Sequence, residues 1–90
     1  MSEVADNASE HRYELVEDGQ TAFAEYRRNG ETIVFTHTIV PSALEGRGIG
    51  TRLVTFALDD ARARGLSVVP QCSFVAGYID RHPDYRDLVA

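Results

Sequence analysis

Gly46, Gly48 and Gly50 stand at alternate positions, after a β-rich stretch that ends at Pro41 and before Leu53, Val54, Ala57, Leu58 and Ala61, which recur at helical spacing. Alternating glycines let the backbone pass close to a ligand. The first turn of a helix presents N–H groups with no partner inside the helix, and its dipole adds partial positive charge. Strand, glycine loop and helix start together suit a phosphate or pyrophosphate. The spelling around the glycines narrows which one.

Two phosphate loops do not fit that spelling. A P-loop needs G-x-x-x-x-G-K-[ST], whose lysine reaches the terminal phosphates; the only cations nearby are Arg47 and Arg52. A dinucleotide fold needs G-x-G-x-x-G and an acidic residue at the end of the next strand. Counted from Gly46, the last glycine of that pattern falls on Thr51, and the next strand, Ser67-Val68-Val69-Pro70, carries no acid.

The run Glu45-Gly46-Arg47-Gly48-Ile49-Gly50 resembles instead the pyrophosphate loop [QR]-x-x-G-x-[GA] of the GCN5-related N-acetyltransferases. Both glycine positions match, and Glu45 stands where glutamine or arginine is usual. A second run, from Pro70 through Cys72, Phe74, Tyr78, His82 and Pro83 to Tyr85, is similar to that of a compact single-domain branch of the superfamily. The resemblance extends over residues 11–89. It implies acetyl-CoA as co-substrate, with the pantetheine arm along the backbone of Ile39 and Val40. The pyrophosphate then rests on the N–H groups of Gly46, Arg47, Gly48, Ile49, Gly50 and Thr51. The thioester points into a gap between two splayed strands, the second of which ends at Cys72.

Transfer to an amine needs a neutral nucleophile, a route for its proton and a way to stabilise the departing thiolate. Cys72 lies where the acetyl group should end; it either accepts the acetyl as a nucleophile or packs as a small hydrophobe. Tyr78 and Tyr85 are candidate acids for the thiolate, or packing residues with satisfied hydroxyls. His37 falls on the same strand face as Ile33, Phe35 and Ile39, and so serves as a structural histidine or as a general base. Phe74 flanks the pantetheine arm or joins the core, and His82 stops a helix. No group of His, Cys and acidic residues has metal-ligand spacing. The expected activity is N-acetyltransfer to a primary amine, a peptide or protein lysine included. The alternative is a non-catalytic module that holds acetyl-CoA or CoA.

The elements that must position these residues fit into one domain of 90 residues, in which 43% are hydrophobic. A net charge of −5 speaks against nucleic acid or an anionic membrane as partner and for a cationic amine. A single cysteine and no long apolar run fit a cytoplasmic protein, and residues 1–10 read as a mobile polar tail ahead of a domain over residues 11–90. Residues 12–16, 21–28 and 31–40 alternate as strands, with turns at Asp18-Gly19 and Asn29-Gly30. A helix runs from Gly48 or Gly50 to Arg64, capped by Gly65. A fourth strand spans residues 67–72, broken by Pro70, and a second helix residues 74–81. The order βββαβα makes an α+β fold with helices on a mostly antiparallel sheet.

Overall fold

In the computed structural model, which describes residues 3–90, the chain enters through a three-residue strand, β1 (Ala5–Asn7), and a 3-10 turn. β2 (Arg12–Glu17), β3 (Gln20–Asn29) and β4 (Thr32–Ile39) then pair antiparallel in sequence order. The two hairpins close at Asp18-Gly19 and Gly30-Glu31. A further 3-10 turn (Ser42–Leu44) leads through the glycine loop into α1 (Ile49–Ala63). β5 (Ser67–Pro70) pairs parallel with β4, and α2 (Ser73–Arg81) and a last 3-10 turn (Pro83–Leu88) complete the chain. The sheet order is β1-β2-β3-β4-β5.

Alternation buries one face of this sheet. Tyr13, Leu15, Ala22, Ala24, Tyr26, Ile33, Phe35 and Val68 pack with Leu53, Val54, Leu58 and Ala61 of α1 and Val75 and Ile79 of α2 in one core. Each large aliphatic side chain so buried contributes about 1.5–3 kcal/mol. α1 stops where Gly65, at φ 70°, lets the Gly65 and Leu66 N–H groups turn back onto the carbonyls of Arg62 (3.1 Å) and Ala61 (2.9 Å). No described helix is long and apolar enough to cross a membrane.

Two expectations change here. Residues 5–7 of the expected tail form the outer strand β1, paired with β2 over Ala5↔Glu14 to Asn7↔Arg12. Asp6 accepts a hydrogen bond from the Tyr26 hydroxyl at 2.6 Å and faces Arg64 at 3.3 Å, which also meets Asp60. Backbone pairing and these polar contacts hold a segment that carries no apolar pattern. Met1 and Ser2 of the expected tail lie outside the described residues. The second change is the face of His37. Tyr26 pairs with Phe35 but Glu25 pairs with His37, so Thr36 is an extra residue, a β-bulge. Past it the faces exchange: Ile33 and Phe35 are buried, whereas His37 and Ile39 are exposed on the opposite face.

Parallel pairing of β4 and β5, joined by α1, has one consequence for function. Both helices start at the C-terminal ends of these strands, where ligands of such units bind.

Candidate functional site

The β4–β5 pairing stops one residue before the bulge. β5 follows β4 only as far as Phe35↔Pro70, because proline cannot donate to the ladder. The chain then turns away, with the Gln71 N–H on the Val69 carbonyl and the Cys72 N–H on the Phe35 carbonyl. Cys72 is therefore not the end of β5, as the sequence suggested, but the N-cap residue of α2. On that side residues 37–39 of β4 have no neighbouring strand, which leaves a splayed gap.

At the mouth of the gap lies an open cleft of ≈ 420 Å³. Thr38 and Val40 form one wall, Leu44, Glu45, Gly46 and Gly48 the rim, Ile49, Gly50 and Thr51 the start of α1, and Phe74 of α2 the far side. Gly46 and Gly48 adopt φ 82° and 71°, left-handed conformations that cost other residues about 1–2 kcal/mol. Gly48 is the N-cap of α1 and has no side chain to cap it. The first intrahelical bond is that of the Arg52 N–H to the Gly48 carbonyl (3.0 Å). The N–H groups of Ile49, Gly50 and Thr51 thus precede the helical ladder. No side chain caps α2 either. A Cβ at Gly50 would lie 2.8 Å from Phe74 Cζ, so glycine is what lets the aromatic ring close against α1.

Of the residues singled out in the sequence, Val40, Gly46, Gly48, Ile49, Gly50, Thr51 and Phe74 line this cleft. Ile39 is exposed on the other face and is not among the residues that line the cleft. Arg47 points to the β2–β3 turn, where its guanidinium meets Asp18 at 2.6 Å and Glu17 at 3.3 Å. Asp18 and Glu17 raise its pKa, Asp18 most. Cys72 is 8% exposed, and its thiol donates to Thr38 Oγ1 at 3.3 Å across the gap, which joins it to the cleft wall.

Tyr78 is not brought to the cleft. It sits one helical turn beyond Phe74, with its hydroxyl 2.7 Å from Thr55 Oγ1 and its ring stacked on His82 at 4.0 Å. Tyr85 donates to Asp59 at 2.7 Å; that bond is the first cause of its raised pKa, burial the second. Both tyrosines join α2 and the last turn to α1. Sequence reasoning missed Glu25, whose Oε1 accepts from Thr36 Oγ1 (3.1 Å) and lies 3.2 Å from His37 Nδ1. These contacts, Thr36 first, hold its carboxyl below the usual range. Only the bulge brings Thr36 and His37 onto it, and a bulge leaves no mark in an alternating sequence. A second hollow of ≈ 570 Å³ runs along the exposed face of α1 between Val4, Arg52 and Phe56. It lacks the glycine loop and the start of α2.

Two comparisons bear on this geometry. A family model described as GCN5-related N-acetyl-transferase matches residues 12–88. The fold is similar to the NMR solution structure of a GCN5-like candidate N-acetyltransferase from Staphylococcus aureus, with a TM-score of 0.76 and 25% sequence identity. That match covers 98% of this chain and 87% of the other.

Proposed function

The chain belongs to the GCN5-related N-acetyltransferase family and is an acyltransferase, and on that premise we propose that it moves an acetyl group from acetyl-CoA to a primary amine such as a lysine side chain. The observation that carries this reading is the meeting of the glycine loop and two uncapped helix starts at one cleft, beside an unpaired strand edge. Amides in that arrangement suit a pyrophosphate. We assign the pyrophosphate to the N–H groups of residues 46–51 and the pantetheine arm to the edge of β4 at Ile39 and Val40. Phe74 flanks the arm, and the acetyl end faces Thr38 and Cys72. When bound, acetyl-CoA supplies the activated acyl group as a thioester. The chain supplies position: Phe74 against Gly50 bounds one side of the cleft, and Thr38 of its wall is held by the Cys72 thiol.

Calorimetry with CoA tests the loop. Gly48→Val forces a β-branched residue into a left-handed conformation and should weaken CoA at least tenfold, about 1.4 kcal/mol, in a protein that still folds. Unchanged affinity in the folded variant would refute the assignment.

Transfer in this reading is direct, and Cys72 shapes the acetyl end without carrying the group. All nine cationic Lys and Arg positions of the chain are arginine, so an acetyl adduct formed from acetyl-CoA alone has no lysine to reside on and is left with Cys72, a histidine, a hydroxyl or the N-terminus. The intact mass should stay unchanged, and Cys72→Ala should keep most of the turnover. A hydroxylamine-labile acetyl adduct, absent from Cys72→Ala, would instead make Cys72 the nucleophile.

A further inference from the structure

We propose that His37 and Glu25 form the acceptor side of this site: His37 takes the proton of an incoming primary ammonium, and Glu25 holds the imidazole ring for it. The proposal rests on the acetyl-transfer reading above. Its starting point is the bulge at Thr36, which points His37 to the helix-free face of the sheet while the adjacent Thr38 faces the cleft and Cys72. At this level β4 has already parted from β5. β4 alone therefore lies between the cleft, on the side of Thr38, and the open face, on the side of His37.

The hydrogen bonds define the ring. Glu25 Oε1 accepts from Thr36 Oγ1 and lies 3.2 Å from His37 Nδ1. The Thr36 and His37 contacts favour its ionised form, and a carboxylate only accepts, so Nδ1 carries the proton. In the neutral imidazole the lone pair is then on Nε2. With the side chain 68% exposed, Nε2 opens onto the face from which an acceptor would approach. The charged groups facing the pair are on β2: Arg12, opposite Glu25 in the sheet, is held by Glu14 and lies over the Phe23 ring at 4.6 Å. Arg27 lies further along β3. Glu25 is thus shared between the Thr36 hydroxyl and His37, and its negative charge favours a cationic acceptor.

The step balances. The ammonium proton passes to Nε2, and the freed nitrogen lone pair forms the N–C bond to the acetyl carbon. The thioester C–S bond breaks with its electron pair on sulfur, and the second proton, shed by the acetylated nitrogen, passes through water to that thiolate. Glu25 offsets the charge gained by the ring and is a positioning residue.

The test compares wild type, His37→Gln, Glu25→Gln and Glu25→Asp, with acetyl-CoA and N-α-acetyl-lysinamide, spermidine and n-butylamine as acceptors. Acetyl-CoA affinity, read by calorimetry, should be the same in all four. His37→Gln should lose about a hundredfold in kcat. Glu25→Gln should lose about tenfold in kcat, because the ring is no longer held in place. Glu25→Asp should recover part of the loss. Independently of turnover, ¹⁵N spectra of labelled histidine should show neutral His37 as the Nδ1–H tautomer, shifted toward Nε2–H in Glu25→Gln. Wild-type turnover in His37→Gln, an Nε2–H tautomer in wild type, or no CoA release to any of the three amines by a protein that binds acetyl-CoA would each overturn the proposal. Absence of acetyl-CoA binding would instead remove the cleft assignment beneath it.

Discussion

At the scale of single residues, charge around the cleft tunes a site whose shape the glycines set. Glu45 lines the rim where a pyrophosphate would rest, and a carboxylate there repels it through a mostly aqueous medium. Glu45→Gln should tighten CoA by about two- to fivefold at low salt and less at high salt, where the repulsion is screened; weaker binding would mean that Glu45 itself holds the ligand. Arg47 tests the reverse. Engaged with Asp18 and Glu17, it ties the glycine loop to the β2–β3 turn, so Arg47→Ala should loosen the loop and weaken CoA by a few-fold, with a loss that shrinks in salt. These residues were legible in the sequence because the loop works through backbone geometry, and glycine is the residue that permits it. His37 was legible as a candidate but not as to its face, since that depends on one extra residue, Thr36, which alternates as smoothly as its neighbours.

At the scale of elements, the site depends on where strands stop. The strands of the meander, both helices and the Gly65 cap could be read from apolar spacing and turn residues, because burial enforces that spacing. β1 could not, because Asp6 and Asn7 are held by backbone pairing and by Tyr26 and Arg64. Nor could the place of Cys72: Pro70 signalled a break, but only the turn at Gln71 shows that the residue stands at the N-cap position of α2. Gly50 joins the two helices at the cleft. Gly50→Ala should fold, since Ala favours the helix by about 0.5–1 kcal/mol, but its Cβ must displace the Phe74 ring. CoA affinity should fall while thermal stability holds, and a variant with unchanged affinity would show that the ring position is immaterial.

At the scale of the molecule, one layer of helices covers one face of the sheet, and the C-terminal segment closes its far edge. The Ala90 N–H bonds to the Val68 carbonyl, and Val89 bridges Val68. Arg62 fastens this segment through a two-pronged contact with Asp87 at 2.8 and 3.0 Å. That contact holds the Asp87 carboxyl below its usual range. A lowered folded value means the contribution is complete above the ordinary aspartate value of about 3.9 and is lost as pH falls through the folded one. Asp87→Asn should therefore lower Tm slightly at pH 7, and the difference from wild type should vanish toward pH 2–3. An equal difference at both pH values would point to packing instead.

The central claim is that the amides of the glycine loop and the start of α1 hold the pyrophosphate of CoA. A titration of ¹⁵N-labelled protein with CoA, followed by amide NMR, tests it most directly. The largest shifts should fall on Gly46, Gly48, Ile49, Gly50 and Thr51, with smaller ones at Val40 and Phe74. Shifts centred on Arg52, Phe56 and Asp59 along the outer face of α1, with the loop amides unmoved, would contradict it.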